Sequence, residues 1–138
     1  MSKKVWPKPG AVKEVPILDP STSQEQMSKD AWELGTSTIL RVKLLPAQER
    51  NRFRREFSKL WAAEQEQEQK SVDYSPILRE LVIACVVQAS GPEFTDGSKL
   101  ADVPAGEELA DALDNLDLLQ AAGFAAFNAQ APRPEQLD

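Results

Sequence analysis

The chain has no histidine and one cysteine, Cys85. The first lack removes the commonest general base and the commonest metal ligand together. The second leaves no internal disulfide and suits a reducing compartment. No apolar run approaches the roughly 20 residues that span a bilayer; the longest, Leu81 to Val87, is far shorter. The six glycines are scattered singly, so no loop matches a P-loop or a dinucleotide fingerprint. The start, MSKKVWPKPG, has lysines with no apolar stretch behind them and does not read as a secretory signal.

What is present is a length of 138 residues, enough for one real core, with 41% hydrophobic and 28% charged residues. The formal charge of −6 is unevenly spread. Between Arg41 and Lys59 seven basic residues face only Glu49 and Glu56, whereas from Ala101 onward eight acids face Arg133 alone. That polarity argues against general nucleic-acid binding, which needs a net basic footprint. It suits charge-steered contact with a protein, a second copy included.

The stretch Ser75 to Ser90, SPILRELVIACVVQAS, organises the rest. Ser75 suits an N-cap and Pro76 the first helical position. Apolar residues then fall on almost every face, so a helix here must be buried all round. The rival reading is a central strand over the β-branched run Val82 to Val87. The cap pair and the length favour helix.

Val12 to Leu18 alternates weakly and contains Pro16, so if it is a strand it is an edge strand. Asp19 to Asp30 reads as loop with one helical turn near Gln24, and Ala31 to Leu34 is ambiguous. Thr38 to Leu44 reads as a strand, antiparallel to Val12–Leu18 or to Ala31–Leu34. Pro46 opens a helix in which Phe53, Phe57, Leu60 and Trp61 share one side and Arg52, Arg55 and Lys59 the other. That helix is expected to fray in Glu64 to Gln69, where nothing apolar is left to bury. Turn residues follow at Gly91–Pro92 and Asp96–Gly97; Phe94 between them is expected to anchor the loop to the core, with Leu100 and Val103 doing likewise beyond it. A last helix runs from about Ala105 to Asn128, with Leu109, Ala112, Leu113, Leu116 and Phe127 inward. Gly123 within it marks a break or a close helix crossing.

The reading is therefore mainly α: three main helices and a short N-terminal antiparallel β ribbon. Residues 1–30 form an extended, proline-containing arm, 31–128 a helical domain, and 129–138 a disordered tail. Cys85 has no base beside it and reads as an inert core thiol. The acidic row Glu107, Asp111, Asp114 and Asp117 reads as a solvated face, not a metal site. Nothing points to catalysis or to a cofactor.

The order of parts resembles the tail assembly chaperones of long-tailed bacteriophages. A strand, ILRVKLL, runs into a helix in which Leu45, Ala47, Glu49, Arg50 and Phe53 stand where that family's helix start has its characteristic residues. Ala84, Cys85 and Val86 are similar to the alanine–cysteine of its second helix, and Phe94, Thr95 and Asp96 to the loop that follows. The resemblance covers Thr38 to Asn128. It implies a non-enzymatic protein of the host cytoplasm, absent from the mature virion. Such a protein binds the tape-measure protein and helps recruit tail-tube subunits, with no nucleic acid or membrane as partner. Self-association is left open. The stripe Phe53, Phe57, Trp61 reads most simply as core and the row Arg52, Arg55, Lys59 as a solvated face; in the functional alternative Arg52, Arg55, Phe57, Lys59 and Trp61 are the candidate contact residues. The alternative is a structural virion component such as a head–tail joining or tail-terminating subunit, and a small regulatory adaptor is a third class.

Overall fold

The computed structural model describes residues 3–21, 27–66 and 72–137. The helical turn expected near Gln24 and the end of the Glu64–Gln69 tract lie outside them. Among the described residues the chain runs β1 (Lys3–Val5), β2 (Val12–Pro16), α1 (Lys29–Ser37), β3 (Ile39–Lys43), α2 (Ala47–Glu66) and α3 (Ser75–Cys85). It continues through β4 (Val86–Ser90), a single 3-10 turn at Leu100–Asp102, α4 (Glu107–Asn115), α5 (Leu119–Ala129) and β5 (Glu135–Leu137). A three-stranded antiparallel sheet has the order β2-β3-β4, and β1 pairs with β5 in a separate ribbon. This is an α+β fold, which corrects the expectation of three helices with a short ribbon. No described helix is long and apolar enough to cross a membrane.

Of the two antiparallel partners open to the Thr38–Leu44 strand, Val12–Leu18 supplies the one found. Val12–Pro16 is an edge strand lying antiparallel to β3, with Glu14 opposite Arg41 and Val15 opposite Leu40. In β3, Leu40 and Val42 are buried and Arg41 and Lys43 exposed, the alternation of a half-buried strand. Glu14 and Arg41 meet on the solvent face at 3.9 Å. The ambiguous stretch before β3 is α1. Its N-cap, Ser28, accepts the Ala31 N–H at 3.1 Å. Its last turn is closed by the Thr38 hydroxyl, which donates to the Leu34 carbonyl at 2.6 Å.

Three further features account for the correction. The Ser75–Ser90 helix stops at Cys85, and the chain passes without a loop into β4. In the register with β3, Leu40 faces Ala89 but Val42 faces Val86, so Val87 is the extra residue of a bulge. Val86 and Ala89 are three apart, and only a bulge lets both face the core. Helix α3 also begins differently from expectation. Ser75 is its first residue, and the Asp73 carboxylate accepts the Ser75 N–H at 2.9 Å.

The long final helix is two helices. At the end of α4, Asp117 N–H reaches the Asp114 carbonyl at 3.0 Å and Leu118 N–H reaches the Leu113 carbonyl at 2.9 Å. These are the paired bonds of a Schellman stop, with buried Leu113 and Leu118 as its apolar contact. The stop needs a left-handed residue, and Asp117 supplies it at φ 58°. The tail expected to be disordered from residue 129 is also tied down. Gln130 is 4% exposed: its side-chain oxygen accepts the Leu45 N–H at 2.8 Å and its amide donates to the Lys43 carbonyl at 2.9 Å. Beyond it, Glu135–Leu137 pairs with Lys3–Val5.

Helices α3 and α5 pack closely on each other and, with β3, enclose Leu40, Leu78, Leu81, Val82, Ala122 and Ala126. Of the two readings of Gly123, the close crossing holds: a Cβ there would lie 2.7 Å from Leu78 Cβ. Gly123→Ala is therefore expected to destabilise by about 1–3 kcal/mol through overpacking, although alanine is the better helix former. Urea unfolding monitored by circular dichroism measures it.

Candidate functional site

The apolar side of α2 meets α3 at its N-terminal half. Phe53 is buried, and the Arg52 guanidinium lies 4.4 Å from its ring centre and 2.8 Å from Glu80 of α3. One turn on, Phe57 is buried in an aromatic cluster. Its ring centre is 4.3 Å from Phe127, 6.1 Å from Tyr74 and 6.3 Å from Phe124. These distances are typical of favourable tilted and offset aromatic pairs. The Tyr74 hydroxyl donates to Glu64 at 2.7 Å and so ties the far end of α2 to the start of α3. That bond, with partial burial, raises the Tyr74 pKa above its usual value.

The cluster forms the floor of a groove of about 460 Å³ whose walls include Arg54, Ser58, Trp61 and Phe124. Arg54, Phe57, Ser58 and Trp61 recur at helical spacing and so present one face. Trp61 is 63% exposed and Phe124 39% exposed, so water covers a contiguous aromatic surface. Of the candidate contact residues, the fold brings Phe57 and Trp61 together here. Arg52, Arg55 and Lys59 do not line the groove: Arg52 is turned toward Glu80, Lys59 pairs with Glu56 at 3.5 Å, and Arg55 is exposed on another side. The cation on the groove wall is Arg54, which the basic-row pattern passed over. Tyr74, Phe124 and Phe127 come from distant parts of the chain, and no spacing within α2 could have pointed to them.

The polar side chains lining the groove are those of Arg54, Ser58, Glu64 and Tyr74, the last two bonded to each other. The arrangement can bind an apolar surface. Arg50, one of the residues carrying the family resemblance, has Nε and Nη1 buried with no acceptor among the described residues. Among those residues no cluster of acids and cysteine is placed to hold a metal ion. No protein-family model, characterised protein or solved structure matches this chain.

Cys85 is buried at the end of α3, and desolvation pushes its thiol up to about 12 against the opposing pull of Gln130 and Lys43. The unfolded thiol ionises near 9.0 while the native one keeps its proton, so above that pH the unfolded state binds fewer protons. Stability should therefore fall as pH rises from about 9 toward 12. A pH series of urea midpoints should show this decline, smaller in Cys85→Ala. A thiol reagent at neutral pH should react only with unfolded protein.

Proposed function

We propose that the protein is a non-enzymatic tail assembly chaperone of a long-tailed bacteriophage. Its aromatic groove takes an apolar helix face of the tape-measure protein in the host cytoplasm, and the complex then recruits tail-tube subunits. The observation that carries this reading is the pair Trp61 and Phe124, both exposed to water and both lining one apolar groove. A long helical chain offers apolar side chains at i, i+3, i+4 and i+7, the pattern that helix-in-groove recognition uses. The similarity in Leu45, Ala47, Glu49, Arg50 and Phe53 supports it from the β3–α2 junction that aims α2 at this groove. Many copies along one tape measure would add weak contacts by avidity.

Co-expression with the tape-measure protein from the same genome tests the reading. Trp61→Ala and Phe124→Ser should each reduce capture by tenfold or more, as loss of an aromatic anchor commonly does. Both side chains are exposed enough for folding to persist, which circular dichroism checks. Arg55→Glu, off the groove, should change capture by less than threefold. Full capture by folded groove variants rejects the reading.

The second reading, a head–tail joining or tail-terminating subunit, gains from the sheet. Such subunits are richer in strand than a three-helix protein, and β2 and β4 are edge strands. Mass spectrometry of purified virions separates the two. The chaperone should be absent, and stoichiometric recovery favours the virion component.

A further inference from the structure

Trp6 is the other aromatic side chain left largely in water, 62% exposed, with Val5 beside it. It follows β1, whose main contact is with β5. In Val5-Trp6-Pro7-Lys8-Pro9 two prolines fix their own φ and push Trp6 and Lys8 toward extended backbone. The segment is thus stiff, extended and proline-rich, with one large aromatic and one lysine, Lys8, while Lys3 and Lys4 precede it in β1. Ligands of that kind lose little entropy on docking and are taken up by aromatic-lined grooves.

The aromatic groove between α2, α3 and α5 has the complementary chemistry. Trp61, Tyr74, Phe124 and Phe127 line it, Glu64 stands on its wall, and Asp73 precedes Tyr74. The Ser75 N–H holds the Asp73 carboxylate below its usual pKa, so it stays charged. Arg54 is the opposing cation on the groove wall. Glu64 and Asp73, both at Tyr74, therefore favour a lysine lying toward the start of α3, away from Arg54. In its own copy Pro7 lines a separate cleft with Val42, Pro132 and Pro134 that shares no residue with the groove, and Trp6 is left exposed.

We infer that the Val5–Pro9 segment of one copy docks in the aromatic groove of a second copy, an inference that rests on reading the groove as a docking site. The contact joins two different surfaces, so each pair leaves one free segment and one free groove, and copies add head to tail. Self-association of this kind covers Trp61 and Phe124 until the tape-measure protein displaces the segment.

Sedimentation velocity on the full chain, from micromolar to hundreds of micromolar, tests it. The mass should grow with concentration, and Trp6→Ala or Phe124→Ser should each hold the protein monomeric. A mixture of these two variants should stop at dimers, because one keeps only its groove and the other only its segment. Trp61→Ala repeats the groove test should Phe124→Ser fail to fold. A wild-type chain that stays monomeric, or association that survives Trp6→Ala, overturns the inference. Tape-measure capture separates the two claims. Capture lost in Phe124→Ser with no self-association at all leaves the groove reading standing and this inference rejected. Association lost in both variants with capture intact does the reverse.

Discussion

The constraint on which the groove depends is the crossing of α3 and α5, where Gly123 leaves no room for a methyl group against Leu78. The buried stripe of α5 is Leu119, Ala122, Gly123 and Ala126, so most of what it turns to α3 is small. Each large aromatic of α5 follows a small residue by one position, which rotates it about 100° off the stripe. Phe124 and Phe127 are thereby carried to the flank of the helix pair, where Phe57 and Tyr74 meet them. The groove is a geometric consequence of the crossing. A looser crossing would turn or shift α5 and spread the cluster.

The second constraint is the direct passage from α3 into β4. Leu78, Leu81, Val82 and Cys85 are buried on the helix, and Val86 and Ala89 on the strand, so one continuous apolar run serves two periodicities. The change of period is absorbed by the bulge at Val87 and by pairing with β3. β-Branched residues sit on both sides of the switch, Val82 and Ile83 in the helix, Val86 and Val87 in the strand. Local propensity therefore does not place the boundary. What does is the unpaired edge of β3, which needs a neighbour where Val86 to Ser90 can supply it.

Those cases show what the sequence made legible. Val12–Pro16 against Ile39–Lys43 was readable because each segment alternates and Pro16 belongs at an edge. The inward faces of Phe53 and Phe57 followed from spacing alone, and so did the meaning of Gly123 as one of two options. The break after α4 was hidden because its left-handed position is held by Asp117 and not by glycine. The anchored tail was hidden because Gln130 reads as a solvated residue. Only the tertiary fold shows that its amide satisfies the backbone of Lys43 and Leu45 at the end of β3, 85 or more positions away in sequence. The groove was half legible: α2 declared Phe57 and Trp61, while Tyr74, Phe124 and Phe127 depend on the helix crossing.

That division bears on what sort of site the groove is. Its walls come from elements held for independent reasons: α2 by Phe53 and the Arg52–Glu80 pair, the start of α3 by the Tyr74–Glu64 bond, and α5 by Gly123 and Gln130. None of these constraints needs a ligand, so the shape exists before anything binds and little ordering free energy is lost on docking. Trp61 stands beyond the packed cluster, 63% exposed, one turn before the polar end of α2 at Glu64. Its indole keeps rotamer freedom to lose, so a partner must cover it closely to gain from it. A rigid aromatic floor with one adjustable wall favours ligands that present apolar side chains in many slightly different settings.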